Sequence, residues 1–230
     1  MEANYTYRKD HIPKTTPNNR RPGLAMKAST ITIHNTGNES SSAANERAWL
    51  TNASNTRTAS YHIVIDEKEA IECLPLTENA WHSGDGSGGT SGNRTSIGIE
   101  ICESGNYAQT IENAVDLVAR MLKERGWGTD RLRRHYDWSG KICPRLMYDG
   151  GKWATWYVFV DKIKAKLKEL EQMDELIKRV AALEESAKLI DPPAWFVSEF
   201  GQDFITKKFS NPQMTYEGWR TVAIALRATK

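Results

Sequence analysis

The chain has 230 residues, with 31 Lys and Arg against 29 Asp and Glu, a net charge of +2. That balance gives none of the strongly basic stripe that marks a nucleic-acid-binding domain, and no apolar run is long enough to enter and span a bilayer. With 39% hydrophobic and 26% charged residues the composition is that of a globular protein, long enough for one core of about 150 residues plus a smaller module.

The N-terminal residues carry no apolar segment of signal-peptide length, so the expectation is synthesis in the cytoplasm without an export signal. The first thirty residues are locally basic (Arg8, Lys9, Lys14, Arg20, Arg21, Lys27) and read as a solvated arm. Three β-rich segments follow. Ser29–His34 alternates β-branched side chains up to a polar Asn-Thr-Gly turn. Tyr61–Asp66 pairs with Ala70–Leu74 as a hairpin. Ser96–Cys102 sets Ile97, Ile99 and Ile101 on one face and Gly98, Glu100 and Cys102 on the other. A short helix from Ala43 to Leu50 and a Gly/Ser-rich loop over 83–92 lie between them. A longer amphipathic helix covers Ile111–Glu124. This pattern predicts an α/β domain with a central mixed β-sheet flanked by helices, followed by a long helix and a small helical C-terminal module.

From Lys152 to Ile190 there is neither Pro nor Gly, so a long helix is expected, ended by Pro192-Pro193. Met173, Leu176, Val180, Leu183, Ala187 and Ile190 recur at steps of three and four, a short coiled-coil seam through which self-association is expected. The organisation expected is a main domain over 1–160, a helical linker over 161–190 and a module over 191–230. That last segment is rich in Phe and Trp and is expected to dock on something, since so short a module rarely folds alone.

Three residues have zinc chemistry: His34 at a strand end, and His135 and Cys143 in a loop bounded by Gly140 and Pro144. Two imidazoles and one thiolate are the three-ligand set of a catalytic zinc with a fourth position open. Taken one at a time, a strand-end His is more often a hydrogen-bonded structural residue and a lone Cys a small buried hydrophobe. Cys73 and Cys102 are read in that second way, and three cysteines at unrelated spacings give no disulfide framework. His62 is read as structural, and His11 has no assigned place.

Four segments in order, Ile-Thr-Ile-His34-Asn-Thr, Ser-Tyr61-His-Ile-Val-Ile-Asp, Asn79-Ala-Trp81-His82-Ser-Gly-Asp with Asn93-Arg94-Thr-Ser96-Ile-Gly-Ile-Glu100-Ile, and Arg-His135 through Lys141-Ile-Cys143-Pro144, carry a resemblance. The chain from about Ser29 to Trp153 resembles the type 2 N-acetylmuramoyl-L-alanine amidases, which share a fold with the peptidoglycan-recognition proteins, and among them the phage endolysins of Bacillus-like hosts. The resemblance implies a Zn2+ cofactor on His34, His135 and Cys143, where some relatives carry Asp at the third position, and peptidoglycan as the substrate. It implies cleavage between N-acetylmuramic acid and L-alanine by a catalytic domain over 1–160, lysing the wall after release from the host cytoplasm, with the 191–230 module expected to bind the cell wall or to self-associate. It assigns Glu100 to proton transfer, Lys141 to the oxyanion, and Tyr61 to an auxiliary role. The alternatives for these three are a second-layer carboxylate orienting His34, a solvated loop lysine, and a tyrosine packed on the sheet. Trp81, His82 and Asn93 either line the substrate groove or brace their loop, and His82 is not expected as a fourth ligand, which would close the site. Competing readings of the whole are a non-catalytic peptidoglycan-binding module, a cytosolic amidase recycling muropeptides, and a wall glycosidase with a carboxylate pair.

Overall fold

The structure is a computed structural model and describes residues 4–228. Its centre is a six-stranded mixed sheet in the order β1-β4-β3-β5-β2-β6. The strands are β1 Thr6–Lys9, β2 Thr30–Asn35, β3 Ile63–Ile65, β4 Glu69–Glu72, β5 Ser96–Ile101 and β6 Leu132–Arg134. Only β3 and β4 pair antiparallel, as the expected hairpin; every other neighbouring pair is parallel. The helices of the same unit are α1 Ala43–Trp49, α2 Gly92–Thr95, α3 Tyr107–Arg125, α4 Tyr136–Ser139 and the start of α5, Ala154–Ala187.

The period-two alternation of β2, β3 and β5 places their side chains on opposite faces of the sheet. Ile31, Ile33, Ile63, Ile65, Ile97, Ile99 and Ile101 join the buried stripe of α3 and Trp156, Phe159 and Ile163 of α5 in the larger core. Val64, Ile71, Cys73 and Cys102 pack with Ala43 and Leu50 in a smaller core on the other face. Cys73 and Cys102 are thus buried core residues, as expected. α3 starts four residues before the expected Ile111, because Asn106 caps it by accepting from the Gln109 amide, and Gly126 ends it in a left-handed conformation.

The basic N-terminal segment is not a solvated arm. It adds β1 to the sheet edge, where Arg8 pairs with Glu69, Arg21 forms a two-pronged ion pair with Glu78, and His11 meets Glu72. Each of these three side chains meets a carboxylate that lies more than fifty positions away, information that composition does not carry. β6 was also missed: Leu-Arg-Arg has no apolar alternation, and only its parallel partner β2 makes it a strand.

The first compact unit extends through Leu170, and a second begins at Glu171; Leu167 and Leu170 still pack against the larger core, beyond the expected boundary at 160. The second unit contains the end of α5, then α6 Ala194–Phe200, α7 Gln202–Lys208 and α8 Tyr216–Ala228, closed around Phe196, Ile205, Trp219 and Ala223. α5 stops at Ala187, short of the two prolines. Ile190, expected as the last member of the seam, has left the helix to form a bridge with Met214 and packs against this aromatic core.

Candidate metal centre and its cleft

His34 is the fifth residue of β2 and is in register with Glu100 on β5. Parallel pairing therefore sets the imidazole beside the carboxylate, His34 Nδ1 to Glu100 Oε1 being 3.9 Å. His135 follows β6, its amide donating to the Ile33 carbonyl. Cys143 is fixed from both sides. Its carbonyl accepts from the Tyr136 amide, while beyond it Arg145 pairs with buried Glu103 and the Leu146 amide donates to the Asn35 side chain.

His34 lies more than a hundred residues before His135 and Cys143, yet the three bring their ligand atoms within 4.8 Å of one another, and all three are buried. The hydrogen bonds around the rings fix which nitrogens face inward. His82 Nε2 donates to the Ser96 carbonyl at 3.0 Å, so its Nδ1 is an acceptor for His34 Nε2–H at 3.1 Å. His34 Nδ1 is then a bare lone pair. His135 bonds the Ser83 backbone and points its own Nδ1 at that of His34, 3.0 Å away, with Cys143 Sγ 3.7 Å from His34 Nδ1. Lone pairs facing each other at this distance repel unless a cation lies between them. Burial first, then the neighbouring His82 and His135, holds the His34 imidazole well below its ordinary pKa, while burial and then the Glu100 charge push the Cys143 thiol up to about 12. A donor set that resists protons on its rings yet must lose one from sulfur suits a metal ion.

His82 sits behind His34 as its orienting partner. Gly98 makes this possible: a β-carbon there would come 2.7 Å from His82 Cγ. Asn93 braces the loop. Its Oδ1 accepts from the His82 and Ser83 amides and its Nδ2 donates to the Gly86 carbonyl, so all its polar atoms are used away from the groove. Trp81 lines a cleft of about 200 Å³ together with His34, His82, Glu100, His135 and Lys141. Glu100 Oε2 is buried without a hydrogen-bond partner. Burial, then the charge of Glu46, pushes its carboxyl up to about 8, with Lys141 opposing. The Tyr61 hydroxyl donates to the Glu46 carbonyl at 2.9 Å and its ring belongs to the smaller core, although its edge reaches the cleft.

Trp49, Asn55 and Arg57 also line the cleft, and nothing in the sequence motifs marked them. They are held from the N-terminal segment. Asn18 donates to the Asn55 carbonyl, Asn19 accepts from Trp81 Nε1, and Arg20, wholly buried, bonds the carbonyls of Pro17 and Asn52. Asn18 and Asn19 adopt positive φ of 59° and 53° to make the three contacts in succession.

The profile of the N-acetylmuramoyl-L-alanine amidase family matches residues 24–146, more than half of the chain, a span that includes His34, His135 and Cys143. The chain belongs to that amidase family. It is 47% identical over 149 residues to the N-acetylmuramoyl-L-alanine amidase CwlA of Bacillus subtilis, covering 63% of this chain and 52% of CwlA. With the N-acetylmuramoyl-L-alanine amidase XlyB of the same organism it is 46% identical over 167 residues, covering 71% and 49%. The amidase chain thus spans about half the length of the curated relatives it matches. Among solved structures, the catalytic domain of XlyA superposes with a TM-score of 0.61 at 40% identity, over 69% of this chain and 99% of that one. A mutant endolysin from Bacillus subtilis gives 0.60 at 40% identity, over 71% and 99%. Asn18, Asn19 and Arg20 precede the segment that the family profile matches.

Proposed function

We propose that this amidase hydrolyses the bond between N-acetylmuramic acid and L-alanine in peptidoglycan, with zinc held by His34, His135 and Cys143, and that it lyses bacterial walls as a phage-type endolysin after release from the host cytoplasm. The observation that carries the reading is the convergence of two imidazole lone pairs and one sulfur, with His34 and His135 lining a cleft that also holds an unpartnered carboxylate oxygen. Two imidazole nitrogens and one thiolate are a donor set that zinc accepts in catalytic sites, so His34, His135 and Cys143 would hold it and leave a fourth position for water. His34 Nδ1 lies 3.0 Å from His135 Nδ1 and 3.7 Å from Cys143 Sγ, and all three donor atoms lie within 4.8 Å of one another. Bound there, zinc supplies Lewis-acid polarisation of the amide carbonyl and a more acidic water.

The chain's own residues supply the rest. Glu100 Oε2, free of other partners, takes the proton of the attacking water and returns it to the departing alanine nitrogen. Lys141 reaches the cleft from the loop before Cys143 and places fixed positive charge where the carbonyl oxygen becomes anionic. Trp81 forms part of the substrate wall, His82 and Asn93 hold the first ligand and its loop, and Tyr61 supports the wall through Glu46. The endolysin reading is supported by the likeness to endolysin catalytic domains, and the second unit is read as the segment that brings the enzyme to the wall.

The test joins metal analysis to product chemistry. Purified protein should hold about one zinc per chain. Cys143→Ser and His135→Ala should each lose both metal and activity. Glu100→Gln should keep the metal and lose turnover by about 10²–10⁴-fold. Digested walls should gain alanine amino groups and no reducing sugar ends; new reducing ends would instead identify a glycosidase and overturn the reading.

A further inference from the structure

The second half of α5 presents an apolar stripe that its own chain leaves uncovered. Met173, Leu176, Val180 and Leu183 are 43%, 52%, 44% and 66% exposed, and Ile177 beside them is 59% exposed. Leu167 and Leu170, one turn earlier, are already used by the core of the first unit; the stripe from Met173 onward is a separate surface. The helix runs unbroken to Ala187, and its opposite side carries Asp174, Glu175, Lys178 and Glu185. Apolar side chains kept in a line on a helix whose other side is charged are a surface shaped for a partner.

We propose that this stripe is the seam of a parallel two-stranded coiled coil between two copies of the chain. The seam positions alternate: Met173, Val180 and Ala187 stand at a, and Leu176 and Leu183 at d. A β-branched residue at a flanked by Leu at d is the choice that favours two parallel strands. The flanking charges fix the orientation. Arg179 stands at g and Glu184 at the following e. In a parallel pair each Arg179 faces Glu184 of the other copy, giving two symmetric ion pairs. In an antiparallel pair g faces g, and Arg179 meets its own counterpart. Two heptads bury little surface, so the dimer is a weak one that forms as concentration rises. Its consequence is to carry two amidase units on one particle, and two weak wall contacts held together bind far longer than one.

Sedimentation equilibrium of the full chain over a concentration series reads this directly. The dimer fraction should rise with concentration, and Leu183→Glu, placed at an exposed position with helix content checked by circular dichroism, should remain monomeric. Arg179→Glu alone and Glu184→Arg alone should each weaken the dimer by about tenfold, since two attractive pairs become two repulsive ones, and the double exchange should restore it. Val180→Cys should form a cross-linked dimer on mild oxidation, because like a positions meet only in the parallel arrangement. A chain that is monomeric at every concentration, or a dimer indifferent to Leu183→Glu, overturns the proposal. A dimer that the double exchange fails to restore and that Val180→Cys fails to cross-link overturns its parallel register.

Discussion

His62 shows how one residue's surroundings set a pH limit on the whole fold. Its Nε2 donates to the Glu78 carbonyl and its Nδ1 accepts from the Gly98 amide, both at 2.9 Å. A second proton would set N–H against N–H. Burial accordingly pushes this imidazole down to about 4 from its ordinary 6.5. The folded state therefore binds fewer protons than the unfolded one between these values. Its contribution is fully present above about pH 6.5 and is lost as pH falls toward about 4, on the order of 2 kcal/mol by about pH 5. Urea titrations at about pH 7 and about pH 5 should show this loss in the parent protein and a much smaller one in His62→Gln. Equal losses in both would assign the acid sensitivity to other groups. The sequence marked His62 as structural from its alternation with Tyr61; it could not show the two backbone partners, which arrive from positions 78 and 98.

At the scale of elements, the segment before β2 acts on the cleft from behind. Asn18, Asn19 and Arg20 tie down, in turn, the loop carrying Asn55, the ring of Trp81 and the turn at Asn52. Asn55 passes this on by donating to the Trp49 carbonyl and accepting from the Arg57 amide. Asn18→Ala removes one of these ties and leaves His34, His135 and Cys143 in place. A single hydrogen bond contributes about 1 kcal/mol, so KM for wall substrate should rise about fivefold with kcat nearly unchanged. Steady-state kinetics that show kcat falling with KM constant would refute this division of labour. The strands around the donors were readable because alternation of β-branched residues is a local signal. The edge strands β1 and β6 were not, because each is a strand only through its neighbour.

At the scale of the molecule, two hydrophobic clusters close the first unit and a third, aromatic one closes the second. Leu167 and Leu170 complete the larger core, so a chain ended after Leu170 retains every residue of the metal centre and of its support. Such a chain should keep its thermal unfolding transition and its cleavage of soluble muropeptides while losing much of its lysis of intact walls. Loss of both activities together, measured on the two substrates side by side, would show that the second unit serves catalysis rather than delivery.

The sequence by itself determined the sheet-and-helix class, the long helix and the buried roles of Cys73 and Cys102, which follow from periodicity and residue type acting over a few neighbours. The expected metal, acid–base and oxyanion roles came instead from the resemblance of its motifs to the amidase family. Only the tertiary structure decided that His34, His135 and Cys143 meet, that His82 turns the first of them, that Asn93 serves its loop, and that a basic N-terminal stretch is a strand and a brace. Each of those depends on groups brought together across tens of residues by parallel strand register and core burial, and distance along a chain does not encode distance in space.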